Sequence, residues 1–300
     1  MQIPQIAGGI SFILYCLPVA SALAQQSAAP PLPDIRQLLN EVQDHQKQLD
    51  KVRESYTYTS MQTTQDVDAN GQVKKTETHE NEDFFVNGHV IERNTKKNGQ
   101  TLSDHDQQKE TERVTKLVEK AEKTPRDQPL EGPSIGVSRL LEIMDVRNER
   151  RANYRGRPTI VFDFVGRKDA KTHGLAEDAS KKVGGTVWID EADRQVAHLE
   201  VSFNDNFRVA GGLFASVEKG SNFRFDQAPV NHSDQEDPSS GGAVNGELWL
   251  PTGGEGTMQA RVLLLKNFRQ HFIEKDYDYK RFRVETQQPK SAKVAPEKKP

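Results

Sequence analysis

The residues that could do chemistry are few and do not converge. Gly132-Pro133-Ser134-Ile135-Gly136 matches the G-x-S-x-G pattern of a nucleophilic serine. That serine needs an apolar strand before it and a parallel sheet around it. Asp127-Gln128-Pro129-Leu130-Glu131 precedes it instead, a loop sequence, so Ser134 reads as the cap of a helix. The eight histidines, at 45, 79, 89, 105, 173, 198, 232 and 271, fall at no zinc-ligand spacing. Asp104-His105-Asp106 could hold a weakly bound ion, but acids at a helix start have a simpler reading as dipole partners. His198 is expected on the solvated face of its strand. Gly211-Gly212, Gly241-Gly242 and Gly253-Gly254 lack the Lys-Ser/Thr of a phosphate loop. The run Arg147, Arg150, Arg151, Arg155 and Arg157 could meet phosphates or lipid headgroups. Its place around a hairpin turn favours a charged, solvated sheet edge. No catalytic residue, metal site or cofactor site is expected, and the chain is not expected to be an enzyme.

Composition narrows the partners. Lys+Arg 41 against Asp+Glu 44 gives a net charge of -3, which argues against a nucleic-acid binder. The first charged side chain is Asp34. The apolar run from Ile6 to Ala20 ends in Ser21-Ala22-Leu23-Ala24, the layout of a secretory signal peptide cut after Ala24, although its start lacks Lys or Arg. An uncleaved anchor is the other reading. Cys16 is the single cysteine, so a cleaved chain has neither disulfides nor a thiolate. The expected organisation is a signal peptide over 1–24, a linker over 25–33, a single domain over 34–286 and a disordered Lys/Pro tail over 287–300.

The elements follow from periodicity. Asp34 is placed to cap a helix whose Ile35, Leu38, Leu39, Val42, Leu49 and Val52 form one stripe. Asn70-Gly71, Asn87-Gly88 and Asn98-Gly99 predict type I′ hairpins joining strands near 55–68, 72–86, 89–97 and 100–102, and Asn245-Gly246 is a fourth such pair. Ser103 with Asp106 predicts the capped start of a second helix, ended by Pro125. Ser134 opens a third, and a helical turn is expected at Ala176 to Lys181. A second β run begins at Val146, with strands near 206–218 and 221–227 among its members. Its clearest half-buried strand sets Ala197, Leu199, Val201 and Phe203 opposite His198, Glu200 and Ser202. Met258, Ala260, Val262 and Leu264 share a face of a later strand. Asn231 to Gly242 reads as a loop. Strand–helix–strand alternation is absent, so the fold class is α+β and β-rich. About ten antiparallel strands are expected to form a strongly curved sheet, an unclosed β-barrel, with helices packed on its concave side.

Gly185-Thr186-Val187-Trp188-Ile189-Asp190, a turn, and then Val196 to Phe203 resemble a strand pair of the periplasmic lipoprotein-carrier proteins, the LolA/LolB-like superfamily of outer-membrane lipoprotein sorting. The order of signal peptide, helix, β-meander, helices and β run resembles it too, over most of residues 34–285. The resemblance implies helices lying as a lid over an apolar cavity, a periplasmic location, and a non-catalytic carrier of lipid or lipoprotein acyl chains. An envelope sensor or protein-interaction module without lipid cargo is the alternative, and a monomer is expected in either case. No motif carries the carriers' functional arginine to a position here. The candidate cavity lining is Trp188, Leu199, Val201, Phe203, Leu248, Leu250, Val262 and Leu264. A deep apolar cavity would favour cargo, and a filled core a partner module.

Overall fold

The computed structural model describes residues 30–126, 128, 130, 139, 142–212, 215–229, 248–262 and 266–281. The expected signal peptide, most of the linker, Ser134 and its motif, the 231–242 loop, Asn245-Gly246, Leu264 and the tail lie outside the described residues. A first helix, α1 (Ile35–Arg53), precedes strands β1 (Tyr56–Val67), β2 (Val73–Val86), β3 (His89–Lys97) and β4 (Gln100–Thr101). Helix α2 (Asp104–Lys123) leads to β5 (Met144–Tyr154) and β6 (Arg157–Gly166). Short α3 (Gly174–Ser180) precedes β7 (Val183–Asp190), β8 (Val196–Phe203), β9 (Phe207–Val209) and β10 (Ala215–Val217). Strands β11 (Asn222–Pro229), β12 (Trp249–Val262) and β13 (Lys266–Arg281) follow.

Among the described residues thirteen strands belong to one antiparallel sheet, ordered β4-β3-β2-β1-β13-β12-β11-β8-β7-β6-β5, with β10 on β12 and β9 on β10. The end strands β4 and β5 do not pair, so the curved sheet stays unclosed. The expected run at 206–218 divides into two three-residue strands, β9 and β10, and the short strand expected near 100–102 is β4. Among the described residues no helix is long and apolar enough to cross a membrane.

The caps are where the side chains demand them. Asp34 accepts from the Gln37 backbone N–H at 2.9 Å, and Ser103 accepts from that of Asp106 at 3.2 Å. Asn87-Gly88 and Asn98-Gly99 both have the paired positive φ angles of a type I′ turn. The first pair corrects the expectation. Only Gly71 is left-handed there, because the Asp68 carboxylate accepts from the N–H groups of Asn70 and Gln72 and builds a longer, bulged loop. Arg155-Gly156 takes the vacant type I′ role, with Asn153 accepting from the Gly156 N–H at 2.9 Å.

Partners in an antiparallel ladder point to the same side, so the register defines an inner face. Leu38 and Val42 of α1 are buried against Ile160, Phe162, Phe164, Val187, Ile189 and Leu199. That packing makes the inner face of β5–β8 a filled core. Beneath the end of α1, Tyr56, Ala197, Leu248, Trp249 and Leu250 form a second cluster, with Val52 packed on it. Arg53 clamps it by donating to the Trp249 carbonyl at 3.2 Å and to Gln227 at 3.1 Å.

Candidate functional site

Beyond the cover of α1 the inner face changes character. Val201 pairs with Phe223, Phe223 with Gly256, and Gly256 with Phe272. Phe225 pairs with Gly254, and Gly254 with Glu274. The rings lie side by side, Phe223 6.5 Å from Phe225 and 6.2 Å from Phe272, all close to parallel. The glycines of β12 make room for them. A Cβ at Gly256 would fall 2.4 Å from Phe272 Cζ and 2.5 Å from the Asn222 carbonyl oxygen. This aromatic shelf is open: Phe223 is 38% exposed and Met258, on the same face, 45%.

The same face continues across β13, β1 and β2 and turns acidic. Glu274 pairs with Gln62, Asp276 with Ser60, Ser60 with Asn81, Tyr58 with Asp83, and Asp83 with Glu92. Asp83 is 2% exposed and Asp276 8%. Among the described residues Asp83 Oδ1 and the buried Thr252 hydroxyl have no hydrogen-bond partner, and Asp276 has none beyond the neighbouring Glu274 carboxyl. Burial pushes the Asp83 carboxyl up to about 7, with the Ser60 hydroxyl pulling the other way. Burial, then the charges of Glu274 and Asp83, push Asp276 up to about 8. Burial likewise raises Glu274, with Glu92 adding to it. Tyr58 and Tyr279 stack 5.3 Å apart beside the carboxyls, and burial raises both phenols. Among the described residues no group of three or more His, Cys, Asp or Glu is placed to hold a metal ion.

On the outer face the register pairs Trp188 with His198 and His198 with Asp226. The Tyr154 hydroxyl donates to Asp226, its ring stacking 4.8 Å from that of His198. His198 Nδ1 meets Asp226 at 2.8 Å, and Nε2 meets Glu200 at 3.1 Å. The solvated histidine expected from alternation is therefore wrong: His198 is 6% exposed, because aromatics from β5 and β7 close over it. Burial alone would lower its pKa, but the Asp226 and Glu200 contacts outweigh burial and leave it above 6.5. Four arginines of the run are similarly engaged. Arg150 meets Asp163 at 3.3 Å, Arg151 meets Glu191 at 2.8 Å, Arg155 meets Asp226 at 3.3 Å and Arg157 meets Asp190 at 2.6 Å.

Of the expected lining, Val201 and Phe203 lie on the inner face, packed at the rim of the main core, and Leu199 lies within it. Leu248 and Leu250 are buried in the second cluster, Trp188 is on the outer face, and Val262 ends β12. Leu264 is outside the described residues. Sequence reading missed Phe223, Phe225, Phe272, Asp83, Glu274 and Asp276. One signal was available: Phe272, Glu274 and Asp276 alternate along β13 on one face, with Lys275 on the other. A polar cleft of about 390 Å³ lies elsewhere, between Lys182 and Arg208.

No family model and no curated protein sequence matches the chain. Solved structures do. A LolA superfamily protein from Nitrosomonas europaea is 11% identical, covering 81% of this chain and 94% of its own, with a TM-score of 0.32. A putative outer membrane lipoprotein-sorting protein domain from Vibrio parahaemolyticus is 12% identical, covering 83% and 93%, also at 0.32. A chain of the Pseudomonas aeruginosa MucA/MucB complex is 10% identical, covering 81% and 100%, at 0.24. These are distant likenesses, and no cargo or partner is transferred from them.

Proposed function

We propose that this is an exported, non-catalytic binding protein that takes an apolar chain, the acyl group of a lipid or lipoprotein, on the open shelf of its inner face. One observation carries the reading: a contiguous row of Phe223, Phe225 and Phe272 on a glycine floor, with Phe223 and Met258 uncovered. Each methylene laid on such a surface gains up to about 0.8 kcal/mol, enough to hold a ligand without an acid, base or nucleophile. Export rests on the apolar stretch before Asp34 and its Ala22-Leu23-Ala24 ending.

The test is an environment-sensitive acyl probe with an uncharged head. The wild type should bind it with a blue shift. Phe223→Ser should weaken binding roughly tenfold, about 1.4 kcal/mol, with a small change in Tm, because the side chain is already half in water. A folded wild type that gives no shift, or a variant that binds as tightly, overturns the acyl reading. The alternative, a module for an envelope protein, is favoured by the filled core: Leu199, Leu248 and Leu250 are buried rather than lining a cavity. Absence of probe binding by the folded protein would point to it.

A further inference from the structure

Several carboxylates elsewhere in the fold meet a base: Asp163, Glu191, Asp226 and Asp190 take arginines, and Glu80 takes Lys96 at 2.7 Å. The carboxyls that adjoin the aromatic shelf are the departure. Glu274 sits two residues from Phe272 on one strand and one face, and Asp276 and Asp83 lie behind it. Two of the three are more than nine-tenths buried, and among the described residues Asp83 Oδ1 has no hydrogen-bond partner and Asp276 none but the Glu274 carboxyl. A buried polar group without a partner costs free energy, so the cluster is incomplete as it stands. A cation would complete it. The groups facing it are Tyr58 from β1, Asp83 from β2, Glu92 from β3, and Glu274 and Tyr279 from β13. The nearest cation from α1 is Arg53, which is engaged with Trp249 and Gln227. His79, farther along β2, is held by Glu77 at 2.9 Å. The carboxyls do not converge on a metal-sized point. Aromatic rings beside carboxylates are instead the surroundings that favour an organic ammonium, through its attraction to ring faces and to the anions together.

Resting on the acyl-binding reading, we propose that the ligand is a cationic amphiphile: its chain lies on Phe223, Phe225 and Phe272, and its amine or quaternary ammonium sits at Glu274 with Asp276 and Asp83 behind.

The experiment compares three twelve-carbon probes below their micellar range by calorimetry: dodecyltrimethylammonium, dodecanoate and neutral monododecanoyl glycerol. The ammonium should bind at least about tenfold tighter than the carboxylate. The Glu274→Gln/Asp276→Asn double variant should lose that difference. If the double variant does not fold, the wild type alone decides: ammonium preference should grow between pH 6 and 9, as the carboxyls give up their protons, and a flat profile overturns the proposal. Equal binding of the three, or preference for dodecanoate, overturns the cationic head while leaving the acyl reading standing. If none of the three binds, both fail together.

Discussion

His198 shows what a single position gains from strands distant in sequence. Its imidazole lies between two carboxylates and under two aromatic rings, and its pKa is raised despite burial. Burial alone would raise Asp226, but the His198 and Tyr154 contacts bring it below its ordinary value. Burial and the Asp226 charge push Tyr154 up to about 12. A histidine whose folded pKa is raised adds stability that is fully present below its unfolded pKa and disappears as pH rises through the folded value. Asp226→Asn should therefore cost about 1–3 kcal/mol at pH 6 and less at pH 9, measured by urea unfolding. It should also drop the His198 titration seen by NMR. An imidazole in the wild type that titrates at or below 6.5 would contradict this account. Strand alternation placed His198 on the right side of β8. It could not reveal burial, because Tyr154 and Asp226 reach it only through the pairing of β11 with β8 and the turn after β5.

Local elements were legible where a local cause sets them. The α1 stripe, the Asp34 and Ser103 caps and the Asn87 and Asn98 turns each follow from a few neighbouring residues. The pairing of β1 with β13 does not: Tyr56 meets Arg281 across most of the chain, and no periodicity encodes a partner. The shelf and the acidic cluster both depend on that pairing and on the β11–β12–β13 order, so they escaped a strand-by-strand reading. The expected cavity lining suffered in the same way. Leu199 has the right parity for the inner face, but parity does not say that α1 covers it. Leu38, on the core-facing side of that helix, is fully buried. Leu38→Ala should cost about 2–5 kcal/mol in chemical denaturation, the range for a large-to-small change in a packed core. A loss under about 1 kcal/mol would mean that α1 is a loosely held lid rather than part of the core.

Across the whole sheet the two halves should answer pH to different extents. In the half built on β1, β2 and β13, Asp83 and Asp276 have pKa values of about 7 and 8, and Glu274 is raised as well, all by burial first. An acid raised in the folded state leaves stability intact below its unfolded pKa, near 4, and erodes it as pH climbs through the folded value. Acidifying from pH 8 to 5 should therefore tighten this half. In the half built on β5–β8 and β11, Asp226 is lowered by its His198 and Tyr154 contacts, and Asp163 by hydrogen bonds from Asn148 and Thr186 and by Arg150. Lowered acids stabilise above their unfolded pKa and lose that contribution only as pH falls through the folded value. His198 gains charge on acidification, so this half should tighten modestly as pH falls through that histidine's raised value and loosen below about 4. Hydrogen exchange, corrected for the intrinsic pH dependence of the amides, reads both halves in one experiment. Protection in β1 and β13 should rise more steeply between pH 8 and 5 than that in β6–β8, and below pH 4 protection in β6–β8 should fall. A uniform response, or loss of protection in β13 between pH 8 and 5, would show that the buried carboxyls are already ionised and compensated at neutral pH. The strain on which the cationic-ligand proposal depends would then be absent.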